Sequence, residues 1–163
     1  MHPIDTKQFR RTMGLFASGV TVVTFQGDDG LPVGMTVNAF MSVSLTPPLV
    51  LVSIRSSSGF CRCIRIGDRY GVSLLSEQQQ SISAHFGGRP DSGLASPYVE
   101  HQGHPVVRDA LAHIVARVSA IHEAGDHLLF VGEVECLADQ GPSRPLLFFG
   151  GLYRRLDLEA LPA

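Results

Sequence analysis

The sequence has little of what would take it away from an ordinary globular fold. Of its 163 residues only three are cysteines, Cys61, Cys63 and Cys136. The number is odd and the C-x-C pair is too close for an easy intrachain bridge, so a disulfide framework is excluded and a reducing, cytoplasmic compartment is expected. No apolar run approaches the ~20 residues needed to span a bilayer. Residues 1–11 carry charges around no apolar segment, which is not the pattern of a signal peptide. Charged residues make up 17% of the chain and the formal net charge is −2. With no basic patch, neither nucleic acid nor a membrane is an expected partner. Internal repeats and low-complexity stretches are missing, so no boundary divides the chain and residues 1–163 are read as one domain.

Several catalytic signatures are absent as well. There is no G-x-G-x-x-G after a strand, no G-x-x-x-x-G-K-[ST] and no G-x-S-x-G, which removes the main warrants for Rossmann, P-loop and hydrolase folds. Glu100-His101-Gln102-Gly103-His104 offers zinc-type ligands. It lies in a glycine-rich loop without a further spaced cluster, so it reads as solvated loop and no metal is expected. Cys61-Arg62-Cys63 beside Arg65 reads in the same way, as a half-buried pair on a short helix rather than as an activated thiol.

What is present is a hydrophobic fraction of 44%. That is enough for a real core, and it leaves an apolar surface that suits a subunit interface. Phe9, Met13 and Phe16 share one helical face over residues 5–18, with Asp5 or Thr6 as cap and Gly19 as stop. Residues 20–25 and 31–37 read as a hairpin about the turn Gly27-Asp28-Asp29-Gly30. Residues 38–45 continue semi-extended to the breaker Thr46-Pro47-Pro48, and the apolar run 49–54 suits a central strand. A short helix over 59–66, a strand over 69–75 and a helix over 76–86 capped by Ser76 follow. Residues 87–105 read as a long loop. Alternating segments 111–122 and 127–137 pair through the turn 123–126, and residues 145–156 supply a last strand with a Gly150-Gly151 bulge or close approach. Roughly seven strands in hairpin-like succession with two or three helices predict a mainly β, closed or split antiparallel barrel.

Chemistry is concentrated in two places. G-M-T-V-N-A-F-M-S-V-S (residues 34–44) gathers small and polar groups between apolar strands, and the run from Pro47 ends in Ser53-Ile54-Arg55-Ser56-Ser57-Ser58, hydroxyls with one arginine. Such groups suit the ribityl chain, the pyrimidine edge and the phosphate of a flavin, where negative charge collects when a hydride arrives at N5. Taken alone, the same residues are ordinary turn chemistry.

The ordered series resembles the short-chain flavin reductase family, the NAD(P)H-using partners of two-component flavin monooxygenases. The resemblance runs through F-R-R-T-M-G-L-F-A-S-G-V-T-V-V-T (9–24), G-M-T-V-N-A-F-M-S-V-S-L-T-P-P-L-V-L-V-S (34–53), R-Y-G-V-S-L-L (69–75), G-D-H-L-L-F-V-G-E-V (125–134) and P-L-L-F-F-G-G-L-Y-R-R-L (145–156). It implies a homodimeric split β-barrel with a few peripheral helices, FMN or FAD near the subunit interface, and NADH or NADPH as hydride donor. Reduced flavin would pass to a flavin-dependent monooxygenase. Residue by residue, Met35, Thr36, Val37, Asn38, Ala39 and Ser42 would lie along the ring and ribityl chain, and Ser53, Ile54, Arg55 and Phe60 along the phosphate side. His85 and Phe86 match the helix end that reaches the cofactor, Tyr153 a cover for a ring face, and His127 the position beside the nicotinamide. Where relatives place a basic residue and a hydroxyl for the phosphate, this chain has Ser58-Gly59-Phe60, so the cation falls to Arg55 or Arg62 or is missing. Two alternatives stay open: a split barrel with permanently bound FMN that reduces another acceptor, and a non-catalytic flavin- or haem-binding module.

Overall fold

The computed structural model describes residues 3–141 and 143–156. Helix α1 (Thr6–Met13) begins where Asp5 accepts the Lys7 amide at 3.1 Å and ends at Gly14, five residues before the expected stop. None of its residues is buried, so no packing offsets the cost of carrying a helix through glycine. There follow β1 (Ser18–Gly19), β2 (Thr21–Gln26), β3 (Pro32–Val37), β4 (Phe40–Leu45), β5 (Pro48–Arg55), α2 (Gly59–Cys63), β6 (Arg69–Leu74) and α3 (Gln80–Phe86). The remainder is β7 (Tyr98–His101), β8 (His104–Val107), β9 (Ala112–Ala124), β10 (His127–Asp139), β11 (Leu147–Phe149) and β12 (Leu152–Arg154).

Seven strands form one antiparallel sheet in the order β3-β2-β6-β9-β10-β5-β4. Its two outer strands are consecutive in sequence and joined only by Asn38 and Ala39. So short a link brings the two edges together, and the sheet must curl into a barrel. The Ser53 amide donates to the Ala39 carbonyl at 3.0 Å across the closing corner. The chain is therefore mainly β with few helices, as expected.

Along β5 the burial alternates. Val50, Val52 and Ile54 face the interior while Ser53 is half-exposed and Arg55 exposed, the period of two that a half-buried strand requires. Phe60 of α2 plugs the barrel. Its ring meets those of Phe25, Tyr70 and Phe130 edge-on, with centroids 5.1, 5.8 and 4.9 Å away. A second core of Val20, Val22, Leu75, Val107 and Leu146 lies outside the barrel wall; Phe86 of α3 and Phe148 and Tyr153 of β11 and β12 pack against it.

Four local expectations are corrected. Residues 40–45 form an edge strand whose register with β5 shifts between Ser42 and Ser44. Ser76 does not cap α3: the helix starts four residues later, and the Ser76 amide is taken by the Gln79 side chain at 3.0 Å while Ser76 bridges to Pro145. The long loop contains the hairpin β7–β8, which turns on Gln102 (φ 50°) and Gly103 (φ 73°). Gly150 (φ 62°) and Gly151 (φ 78°) form a two-residue turn between β11 and β12 rather than a bulge. In both hairpins two successive positive φ angles give the turn whose twist matches its strands.

Candidate functional site

Barrel closure creates the site. Strands β3 and β4 cannot both continue their ladders through a two-residue corner, and among the described residues the amides of Asn38 and Ala39 donate to no backbone carbonyl. Both residues are exposed. Beside them runs Ser53, then Arg55, whose register partner on β10 is His127. Two residues along a strand advance about 7 Å and neighbouring strands lie about 5 Å apart, so Ser53, Arg55 and His127 share a patch roughly 10 Å across.

His127 is held from behind. Its Nδ1 lies 2.7 Å from Asp126 Oδ1, which leaves Nε2 as the ring's outward atom. Asp126 is itself fixed, because its carbonyl accepts the Ser56 amide at 3.0 Å and the Ser56 hydroxyl at 3.1 Å. The hydrogen bond and charge of His127 hold the Asp126 carboxyl below the usual carboxylate range.

On the other side of Asn38 a cavity of about 210 Å³ is bounded by Val20, Thr36, Ser83, Gly87, Phe148 and Tyr153. Met35 and Val37 point into the barrel core, so Thr36 between them points out to α3 and donates to the Ser83 carbonyl at 2.7 Å. The Ser83 hydroxyl and the Tyr153 hydroxyl are 2.8 Å apart. These bonds tie β3, α3 and β12 around one hollow. Phe86 secures the helix by lying flat on Gly34, where a Cβ would fall 2.7 Å from its ring.

The structure sorts the expected residues. Thr36, Asn38 and Tyr153 share the cavity; Ala39, Ser53, Arg55 and His127 share the adjoining strip. The Phe60 side chain is 0% exposed among three aromatic rings, so of this residue only the backbone in the first turn of α2 is left to meet a ligand. The side chains of Val37 and Ile54 likewise belong to the core, so only their backbone faces the strip. His85 is used internally, its Nδ1 accepting the Asp91 amide at 2.9 Å, and Phe86 packs on Gly34. Ser42 is set apart, since it pairs with Val50, three residues or about 10 Å along β5 from Ser53. Ser83 and Gly87 were missed. Their spacing with Gln80 follows one face of a helix, small and polar at i, i+3 and i+7, and that pattern was the available signal.

A polar cavity of about 480 Å³ lined by Arg69 and Arg117 is a weaker candidate. Its arginines are already engaged: Glu135 accepts Arg69 Nε at 2.8 Å and Arg117 Nε at 2.6 Å. Burial opposes ionisation of Glu135, but the hydrogen bonds and charges of Arg117 and Arg69 hold its carboxyl below the usual range. Arg117 of this cavity pairs in register with Glu133, six residues or about 20 Å along β10 from His127. Among the described residues no group of three or more metal-ligating side chains assembles, and no helix is long and apolar enough to cross a membrane.

The corner fits a flavin on its donor chemistry. Two unpaired amides, a carboxamide, a hydroxyl and a guanidinium face one strip, and the carboxylate beside it is occupied by His127. An acceptor-rich ring edge with an anionic tail is the matching ligand class. Comparison with known proteins decides between this ligand and others. The sequence profile described as flavin reductase like domain matches residues 13–157.

The chain belongs to the flavin reductase-like family. It is 45% identical over 152 residues to the NADH-dependent flavin reductase of Rhodococcus sp., covering 91% of this chain and 85% of that protein. It is 38% identical over 156 residues to the reductase subunit HsaB of a flavin-dependent monooxygenase from Rhodococcus jostii, covering 94% and 80%. Among solved structures, flavin reductase PheA2 superposes with a TM-score of 0.88 at 44% identity, covering 94% of this chain and 99% of that one. The NADH:FAD oxidoreductase SgcE6 of Streptomyces globisporus, in complex with NAD and FAD fragments, superposes with a TM-score of 0.84 at 34% identity, covering 98% and 99%. The named relatives of this family member are thus NADH-dependent flavin reductases and the reductase subunits of two-component monooxygenases, and their barrel is the one described above.

Proposed function

We propose that the protein is a single-domain, cytoplasmic oxidoreductase, active as a homodimer. It oxidises NADH in preference to NADPH, reduces FMN or FAD, and delivers the reduced flavin to a separate monooxygenase. The observation that carries this reading is the corner itself: the unpaired Asn38 and Ala39 amides and the Asn38 carboxamide, in line with Ser53, Arg55 and His127. When bound, the flavin supplies the hydride-accepting centre.

The chain supplies binding, orientation and electrostatics. The Asn38 and Ala39 amides and the Asn38 carboxamide donate to the ring edge where negative charge gathers, and they are positioned before the reaction because the barrel corner fixes the backbone. Arg55 opposes the charge of a phosphate. The outward Nε2 of His127 meets the nicotinamide, while Asp126 at 2.7 Å holds the ring in one orientation. No nucleophilic side chain is needed. Dimer formation would cover exposed apolar side chains such as Phe9, Met41, Leu45 and Leu152.

Stopped-flow spectra of NADH and NADPH oxidation, with FMN, FAD and riboflavin supplied separately, test the reading. Rapid flavin bleaching with NADH supports it. Flavin binding without NADH oxidation would demote the protein to a binding module, and light scattering of a strict monomer would remove the dimer.

A further inference from the structure

Arg69 of β6 and Arg117 of β9 stand directly opposite each other in register. Like charges so placed repel, and Glu135 resolves the conflict by accepting Nε of both. Arg69 Nη2 then donates to the Gln102 carbonyl at 3.1 Å, and Arg117 Nη1 to the Gly67 carbonyl at 2.7 Å. Each guanidinium still has an outer nitrogen to spare. Among the described residues Arg69 Nη1 and Arg117 Nη2 donate to nothing, so two cations braced by one carboxylate keep a net positive charge and free donors. Both arginines line the cavity of about 480 Å³.

The opposite chemistry lies on the same cavity. His104, only 5% exposed, lines it. Its Nε2 meets the Thr24 carbonyl at 3.1 Å and must carry the hydrogen there, since a carbonyl only accepts. A Cβ on Gly71 would fall 3.0 Å from His104 Cδ2, so that edge of the ring is packed on the barrel wall. Nδ1, on the other edge, is left with a lone pair and, among the described residues, no donor. Burial and the Arg69 charge favour the neutral ring, against the pull of the Thr24 carbonyl and Glu135. Asp68 lines the cavity as well. Its Oδ2 accepts the Arg65 amide at 2.8 Å, and among the described residues its Oδ1 accepts nothing. A buried acceptor and a carboxylate facing an arginine pair with spare donors form a bipolar pattern, which a ligand bearing both a carboxylate and an ammonium satisfies. At Gln26 and Gly103 the cavity joins a second one of about 290 Å³, walled by Pro32, Tyr98, Val99 and Pro105 with Glu100 beside them. The volumes suit a small molecule.

We propose that this cavity is a binding site for a free α-amino acid with an apolar side chain. The outer nitrogens of Arg69 and Arg117 take its carboxylate, His104 Nδ1 and Asp68 accept from its ammonium, and its side chain lies along Pro32, Val99 and Pro105. The site is about 20 Å along β10 from His127. It stands independently of the flavin reading and gives the chain a second ligand that is neither flavin nor nicotinamide.

The probe is L-leucine, titrated into the full chain while the imidazole nitrogen resonances of His104 are followed by NMR. Isocaproate, which lacks the ammonium, and isopentylamine, which lacks the carboxylate, are titrated in parallel. L-leucine is expected to shift the His104 Nδ1 signal to saturation with a Kd at or below about 1 mM. Each truncated analogue should bind at least about tenfold more weakly. Asp68→Asn, at an exposed position and with an oxygen kept for the Arg65 amide, should weaken L-leucine by a similar factor and leave isocaproate and flavin affinity unmoved. No movement of the His104 signal with L-leucine at about 10 mM overturns the proposal. So does equal binding of L-leucine and isocaproate, which would reduce the cavity to an anion pocket. The comparison among the three probes uses only the wild-type chain, so it decides the matter even if the Asp68 variant folds poorly.

Discussion

Replacing Phe60 by leucine separates a core residue from a cofactor contact. The ring is 0% exposed and meets three other rings edge-on at 4.9–5.8 Å. Each such pair contributes about 0.5–1.5 kcal/mol beyond the area it buries. Leucine keeps the hydrophobic burial but loses all three pairs and leaves a small void, worth roughly another 1 kcal/mol. Taking the pairs at the low end, F60L should cost about 2–3 kcal/mol. For a chain of this length, Tm falls about 2–4 °C per kcal/mol, so the expected drop is roughly 4–12 °C. Differential scanning calorimetry measures that drop, and flavin fluorescence quenching measures the dissociation constant of FMN, which should move less than about twofold. An unchanged Tm together with a tenfold weaker FMN complex would refute the assignment of Phe60 to the core and restore it to the phosphate side.

Other perturbations follow from the same coordinates. His127→Ala should raise the KM for NADH with flavin affinity nearly intact, and unchanged steady-state kinetics would remove His127 from the site. Asp126→Asn should give a smaller effect in the same direction, read from the pH profile of kcat/KM, because it weakens the bond that orients the imidazole without removing the ring. Gly132→Ala should destabilise by about 1–3 kcal/mol in urea unfolding, since a Cβ there would press into the Tyr70 ring; among the described residues the Tyr70 hydroxyl has no partner, so Tyr70→Phe alone should be neutral or stabilising. Burial pushes the His104 imidazole below the usual histidine value, against its contact with the Thr24 carbonyl at 3.1 Å. The unfolded chain therefore binds the proton first as pH falls below about 6.5, and stability should drop by up to about 1.4 kcal/mol per unit until the folded value is reached. His104→Gln should flatten that acid limb of the urea midpoint.

Much of the barrel was legible because its signals are local. The β2–β3 hairpin announces itself by alternation around Gly27-Asp28-Asp29-Gly30, and β9–β10 by the same pattern around Gly125. What was not legible depends on partners distant in sequence. Residues 40–45 become a strand because β5 offers a ladder, and Ser76 loses its capping role because Pro145 pairs with it. Within the site the division is the same. Asn38, Ser53, Arg55 and His127 stand on strand ends or a corner where period-two alternation turns polar groups outward. The burial of the Phe60 side chain was not legible because position within a motif does not say which way a short helix turns its aromatic residue, and the neighbouring rings Phe25, Tyr70 and Phe130 come from three separate strands.

Closure and function have one physical origin in this fold. A sheet whose outer strands are consecutive in sequence must turn a corner, and a corner of two residues cannot keep both strands in register with their neighbours. The Ala39 carbonyl finds the Ser53 amide, but the Asn38 and Ala39 amides are left over. Elsewhere such a pair would be a loss of ladder hydrogen bonding. Here the loss falls beside an arginine, a carboxylate-braced histidine and a hydroxyl-lined hollow, so on the proposed reading the groups the barrel fails to pair become donors for a flavin. Lengthening the link by one glycine between Asn38 and Ala39 should therefore weaken flavin binding far more than it lowers Tm, because it relaxes the corner while the seven-stranded ladder persists on either side of it. If calorimetry instead showed flavin affinity preserved in that insertion variant, the corner amides would not be the ligands, and binding would have to be carried by side chains alone.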